Sequence, residues 1–278
     1  MCIKKILKKL KYTFFEDKRI ALIRLEGIIA DTSALPVASK ISEAIDKVQE
    51  KEIKALILRI NSPGGTVGAS QELFDKIKKL KDHGVKVVVS MGDVAASGGL
   101  YIAVAADKIV ANPGTVTGSI GVIIKAGILK ELYKKIGLEH DIVKSGKFKD
   151  ILSDLKHMSK EDQEILQEMV DDTYYQFITA ISTERKINIE DVKKFADGRV
   201  FTGNQAKQLG IVDETGSLKD AENLAKKLAG IEGEPDIIEI EPQKSFFQKI
   251  SKLSLDQVLN GVSFNSIYSN IPLWILKR

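Results

Sequence analysis

The chain has 278 residues, 44% of them hydrophobic and 29% charged, the make-up of an ordinary globular protein that can bury a real core. Its formal net charge is only +4, and residues 1–11, MCIKKILKKLK, hold five lysines and no acid, so the remainder is close to neutral. No basic patch interleaved with aromatics occurs, which argues against nucleic acid as a partner, and a single cysteine, Cys2, excludes an intrachain disulfide and gives no sign of an oxidising compartment.

No stretch reaches the ~18 apolar residues of a membrane span, and the N-terminus lacks the pattern of a cleavable signal peptide. Ile3, Ile6, Leu7, Leu10 and Phe14 recur at helical spacing among lysines. That pattern suits a basic amphipathic helix on an anionic membrane, and equally a terminal helix with a solvated lysine face.

Strands and helices then alternate. RIALIRL (19–25) reads as a strand, and 38–50 as a helix with Ile41, Ala44, Ile45 and Val48 on one face. IKALILRI (53–60) is the near-continuous apolar run of a strand covered on both sides. A helix over 70–84 ends at glycine, VKVVVSM (85–91) is a second buried strand, AASGGLYIAVAA begins a helix, and DKIVA (107–111) is again a strand. This βαβαβ order predicts a parallel-rich α/β core with right-handed crossovers.

Beyond residue 125 helices dominate. Ser159 with Asp162 marks a helix start, and Ile165, Met169, Val170, Tyr174, Phe177, Ile178 and Ile181 form a stripe suited to a core or an oligomer interface. Short helices follow at IEDVKKFA and SLKDAENLAKKLAG, then a linker and strand in 233–243. Phe246, Phe247, Ile250, Leu253 and Leu255 suggest a docked C-terminal helix.

The stretch MGDVAASGGLY (91–101) puts a lone hydroxyl between a strand and a helix, among residues with almost no side-chain bulk. A serine there lies beside free N–H groups at the positive end of a helix dipole. It can attack a carbonyl while the next N–H, that of Gly98, receives the oxyanion. Alone, the pattern fits an ordinary small-residue helix start better. A second glycine turn, Asn61-Ser62-Pro63-Gly64-Gly65, ends the preceding strand, and parallel strands end on one edge, so Gly64 or Gly65 can supply a second donor.

Serine needs a base. His83 and His157 read as surface residues, and His140 is the one histidine worth keeping as a candidate. A lysine serves only where burial lowers its pKa from ~10.4, and composition cannot choose among Lys144, Lys147 and Lys149 in VKSGKFKDI. No metal-ligand cluster, P-loop or dinucleotide motif is found, so neither a metal nor a cofactor is expected.

NSPGG, MGDVAASGGLYIA, TGSIGVI (117–123), VKSGKFKDI (143–151) and ADGRVFTGNQAKQLGIVDE (196–214) together resemble the signal peptide peptidase A family of bacterial serine proteases, in its short single-domain form, over about residues 19 to 230. The resemblance implies a ClpP/crotonase-like α/β fold with repeated βαβ units and a Ser/Lys dyad without histidine. By motif, the nucleophile falls on Ser97, the general base on Lys149, the lysine-orienting hydroxyl on Ser119, and the oxyanion donors on Gly98 and Gly65. Thr66 stands where the family usually has a third glycine, and the membrane anchor common in the family is missing.

The resulting expectation is a basic segment (1–17), a peptidase domain (18–230) and a C-terminal extension (231–278). The enzyme would cut apolar peptides, such as remnant signal peptides, in a homo-oligomeric ring whose active sites pair Ser97 of one chain with Lys149 of the next. It would be bacterial, either cytoplasmic or peripheral on the cytoplasmic membrane face through its lysines. The rival readings are a crotonase-like acyl-CoA enzyme, which needs a glutamate in the cleft but not Ser97, and a noncatalytic membrane-associated scaffold.

Overall fold

The computed structural model describes residues 18–241 and the backbone of 273–275. The N-terminal lysine segment and the helix expected around Phe246–Leu255 lie outside the described residues.

A mixed sheet forms the centre. β1 (Arg19–Glu26), β2 (Ala55–Ser62) and β4 (Lys86–Ala96) lie side by side in parallel. β9 (Asp236–Glu239) extends the sheet beyond β1, so the C-terminal segment contributes an edge strand. On the other side β4 divides its length between two partners. Its first half pairs with β5 (Lys108–Ala111), and its last three residues pair with β6 (Val116–Gly118), both parallel. β7 (Val200–Thr202) adds antiparallel to β6, and β8 (Glu214–Thr215) adds parallel to β5. A separate strand, β3 (Gly64–Thr66), rises from the end of β2 and pairs with β10 (Leu273–Ile275).

The unbroken apolar runs of β1, β2 and β4 are buried because helices cover both faces. On one side lie α1 (Val37–Glu50), α2 (Val67–Asp82) and α3 (Gly98–Ala103), over a core that includes Ile23, Leu56, Leu58, Val87 and Val89. On the other, α8 (Leu218–Leu228) packs Ala221 and Ala225 on Ile20, Ile57 and Val88. The face expected for 38–50 is the buried one, with Ile41, Ala44, Ile45 and Val48 all inside.

Two boundaries differ from the sequence reading. Ala95 and Ala96 end β4 rather than open the helix, because Gly92 and its neighbours bulge past β2 and let the strand run on to meet β6. The helix expected from residue 70 starts at Val67.

The helical half holds α4 (Lys130–Lys135), α5 (Lys160–Arg185), α6 (Ile189–Lys193) and α7 (Gly203–Gln208). Its longest member, α5, begins with the capping box foreseen at Ser159. Asp162 N–H donates to Ser159 Oγ at 3.1 Å, and Ser159 N–H donates back to Asp162 Oδ2 at 3.0 Å. The apolar stripe divides along its length. Phe177, Ile178 and Ile181 are buried, whereas Ile165 and Met169 near the start are about two-fifths exposed. Leu166 is buried nearer the start of α5, and its C-terminal half meets the main core. There the Tyr101 ring of α3 packs between Phe74 of α2, at 4.9 Å, and Phe177, at 5.3 Å. Burial pushes the Tyr101 phenol up to about 12.

Removing the cap should cost α5 one satisfied N–H. Ser159→Ala is expected to lower stability by about 1 kcal/mol, read from chemical denaturation, with the thermal midpoint falling in parallel. An unchanged midpoint would mean that the N-terminal turn of α5 contributes nothing to global folding.

Candidate active site

Three parallel strands, β2, β4 and β6, end on one edge, at Ser62, Ala96 and Gly118. Ser97 follows β4 and caps α3 with φ 53° and ψ −118°. Such angles belong to the first central position of a II′ turn, ordinarily a glycine's. Two bonds hold the serine there. Its N–H donates to Gly118 C=O at 2.8 Å, and its C=O accepts from Tyr101 N–H at 2.9 Å. Its side chain is buried at 1% exposure, and among the described residues Oγ has no hydrogen-bond partner.

Near Ser97, Gly99 sits where space is tight. A Cβ on Gly99 would lie 3.2 Å from Ser62 C=O, so α3 sits directly against the end of β2. Gly98, the first residue of α3, is buried, and its N–H precedes the first intrahelical acceptor.

The NSPGG turn gives each residue a separate task. Asn61 Oδ1 accepts from Val94 N–H at 3.1 Å and so fastens the bulged part of β4. Ser62 Oγ accepts from Gly64 N–H at 3.1 Å. Gly64 has φ 107°, which only glycine adopts readily. Gly65 is glycine for another reason: a Cβ there would stand 1.7 Å from Ile29 C=O. Ile29, on the chain leaving β1, donates its N–H to Gly64 C=O at 2.9 Å and accepts from Thr66 N–H at 2.8 Å. The N–H and C=O of Gly65 therefore face the opposite side of β3.

Ser119 borders Ser97 from the β6 side. It also has positive φ, 51°, and its N–H donates to Arg199 C=O at 2.8 Å. Thr117 Oγ1 donates to Ala95 C=O at 2.6 Å and Thr115 Oγ1 to Gly92 C=O at 2.6 Å, which pins β6 along the bulged length of β4. Ser119 opens on a cavity of about 340 Å3 lined also by Ile120–Ile123, Val170, Tyr174 and Ala196–Gly198; Ser97 does not line it.

Ser97, Gly98, Gly65 and Ser119 are thus brought to one sheet edge, and Lys149 is not bonded to any of them. It lies in the segment running from Val122 to Met158, most of it exposed. Of the three lysines in VKSGKFKDI, Lys144 bonds Asp150 Oδ1 at 2.7 Å and Lys147 pairs with Glu161. Lys149 is exposed and has no ion-pair or hydrogen-bond partner for its ammonium among the described residues. The bonds from Lys144 and Lys156 hold the Asp150 carboxyl down to about 2.

The histidines stay apart from this edge. His83 caps the end of α2, with Nδ1 2.7 Å from Lys79 C=O; the His140 ring packs tilted against Tyr133; His157 is exposed. Two contributors escaped the sequence reading. Ile29 clamps both ends of β3, and the Asp197–Arg199 turn supports Ser119 through the Arg199 carbonyl. Gly27, which ends β1 at φ 79°, was the available signal for the first.

The strain at residue 97 predicts an ordering of variants. Ser97→Gly should be more stable than Ser97→Ala by about 1 kcal/mol, because only the alanine keeps a Cβ at positive φ. Equal denaturation midpoints would contradict a strained turn.

Sequence comparison fits this geometry. Residues 79–232 match Peptidase family S49, and residues 13–115 match the Clp protease family. A presumed protease of Synechocystis sp. is 41% identical over 94% of this chain and 96% of its own length. A presumed signal peptide peptidase SppA of Enterococcus faecium is 36% identical over 76% of this chain and 64% of that protein. Protease 4 of Salmonella typhi is 38% identical over 76% of this chain, which spans about a third (34%) of that longer protein. The chain belongs to peptidase family S49 and is a serine-type peptidase with a ClpP-like α/β fold.

Proposed function

We propose that this peptidase is an endopeptidase that uses a Ser/Lys dyad formed between two copies of the chain. The observation that carries the reading is the state of Ser97 Oγ. It is buried at a strained turn beside helix N–H groups, and among the described residues no side chain bonds it. A nucleophile so placed needs a base from elsewhere. Lys149 suits that role, being unpaired and carried on a segment that leaves Leu129, Leu132, Ile136, Leu138, Ile142 and Val143 exposed. Apolar side chains gathered on one exposed segment mark an interaction surface, and a second copy of the chain would cover it.

In the proposed reaction neutral Lys149 Nζ takes the proton from Ser97 Oγ as Oγ bonds the substrate carbonyl carbon. The oxyanion is held by the N–H groups of Gly98 and Gly65. Engagement of Gly64 N–H by Ser62 Oγ favours Gly65 as the second donor. Lys149 returns its proton to the leaving amine as the C–N bond breaks, giving an acyl-serine. It then deprotonates the water that cleaves the ester, and Ser97 recovers its proton. Ser119 orients the lysine.

Substrates are apolar peptides, remnant signal peptides among them, lying as a strand along the outer edge of β3, where main-chain bonds hold them. Residues 1–17 supply the lysines for peripheral contact with an anionic membrane, on the cytoplasmic face. Among the described residues no helix is long and apolar enough to cross a membrane.

Ser97→Ala should cut peptide hydrolysis by several orders of magnitude with folding intact. A lysine that carries the proton between serine and leaving group cannot be spared, so Lys149→Ala should remove the activity while the denaturation midpoint stays unchanged. Mixing decides between one chain and two. Co-expressed Ser97→Ala and Lys149→Ala chains should regain activity, because some interfaces then hold both native residues. Mixed oligomers, verified with differential tags, that stay inactive would refute the shared site.

A further inference from the structure

Ser97 and Ser119 both have positive φ, and a single peptide group links them. The Gly118 C=O accepts from Ser97 N–H at 2.8 Å. The other end of that same peptide group, Ser119 N–H, donates to Arg199 C=O at 2.8 Å. A continuous hydrogen-bond chain therefore runs from the Arg199 carbonyl, through one peptide group, to the amide of Ser97. Bonds in such a chain polarise and strengthen one another.

The far end of this relay is held by side chains. Asp197 Oδ1 accepts from Arg199 N–H at 3.2 Å and from Arg199 Nε at 2.7 Å, and Oδ2 accepts from Nη2. The bonds from Arg199 hold the Asp197 carboxyl down to about 2, so the clip stays charged at neutral pH. Gly198, between the two residues, has φ 88° and donates its N–H to Ile120 C=O at 3.0 Å. Downstream, β7 pairs with β6, and the Phe201 ring meets Phe195 edge-on at 6.2 Å. The strap lies tight on the relay: a Cβ on Gly118 would stand 2.9 Å from Arg199 C=O and 2.5 Å from the Phe201 ring.

The Asp197 and Arg199 side chains are about half exposed, and an exposed ion pair adds little to stability. Its effect here is on direction, because it decides where the Arg199 carbonyl points.

We propose that Asp197 and Arg199 are positioning residues for the nucleophile: their clip aims the Arg199 carbonyl at Ser119 N–H, and the Gly118–Ser119 peptide group passes that alignment to Ser97. This rests on Ser97 as the nucleophile proposed above and adds the residues that aim it. A clip that only stiffened a surface turn would leave the turnover of folded enzyme unchanged.

Asp197→Ala removes all three bonds, whereas Asp197→Asn keeps an oxygen for Arg199 N–H and Nε. On a fluorogenic apolar peptide, kcat per folded chain should fall from native to Asn to Ala. The loss for Ala should be about tenfold to a hundredfold, the scale of a small misplacement of a reacting group. KM and the denaturation midpoint should stay at their native values. In the same variants, amide hydrogen exchange at Ser97 and Ser119 should quicken while Leu56–Leu58 of β2 stay protected.

Should Asp197→Ala fold poorly, Asp197→Asn and Arg199→Lys retain part of the clip and carry the same comparison at smaller amplitude. Native kcat in every variant overturns the proposal, and so does unchanged exchange at both serines. A fall in kcat that only tracks a falling midpoint also overturns it, since the clip is then a surface brace. Quickened exchange at both serines, in a protein whose native chain hydrolyses no peptide, upholds the relay and instead sinks the protease reading.

Discussion

Everything at the candidate site follows from holding one serine in a glycine conformation. A non-glycine residue in such a region costs of order 1–3 kcal/mol, and it persists only where its surroundings over-determine it. Here the sheet does so. Gly118 C=O, at the end of β6, takes the Ser97 N–H, and Tyr101 N–H, one turn into α3, takes its C=O. Tyr101 is in turn wedged between Phe74 and Phe177, so α2 and the end of α5 fix the helix that fixes the serine. The bulge in β4 belongs to the same arrangement. Without it β4 would end beside β5 and could not reach β6, whose last carbonyl is the anchor.

Full burial stops at about Val122. The segment to Met158 contributes little to the main core and leaves large apolar side chains in solvent. Its far end is organised by charge. Asp150 bonds both Lys144 and Lys156, and Lys156 also reaches Asp162 at the start of α5. Because these contacts lower the Asp150 pKa to about 2, their contribution is present above the unfolded carboxylate value and is lost only as pH falls toward 2. The loop that carries Lys149 thus keeps its local charge pattern through neutral pH, whether or not a neighbour covers the apolar side chains. Exposed pairs of this kind are weak individually and screened by salt, so they shape the loop without locking it.

The central parallel strands were legible because buried parallel strands write themselves as unbroken apolar runs, as at Leu56–Leu58 and Val87–Val89. The capping box at Ser159 was legible because it needs only two residues at fixed spacing. What escaped has a physical reason in each case. Ala95 and Ala96 suit strand and helix alike, and only the contact with β6 decides between them. The α5 stripe has one period along its whole length, yet Ile165 and Met169 lie beyond the part that meets α3. Ile29 acts through its backbone, so its side chain gives no sign of the clamp. For the site, glycine and serine positions could be read as a cluster, but choosing Lys149 among its neighbours took a family likeness; among the described residues, Lys144 and Lys147 have partners and Lys149 does not.

Gly64 and Gly65 illustrate how two identical residues can answer two different demands. The first is set by a positive φ, the second by the carbonyl of Ile29, which leaves no room for a Cβ. Their joint effect is an edge strand with almost no side chains in its first two positions. Such an edge can offer a peptide only main-chain N–H and C=O groups, which any sequence except proline can meet. On the proposed reading, discrimination among peptides then comes from the walls around Ser97 rather than from β3 itself. On the proposed reading the Ser97 hydroxyl is likewise placed by the backbone geometry of the protein, with Gly99 set close against Ser62, and not by contacts particular to one substrate.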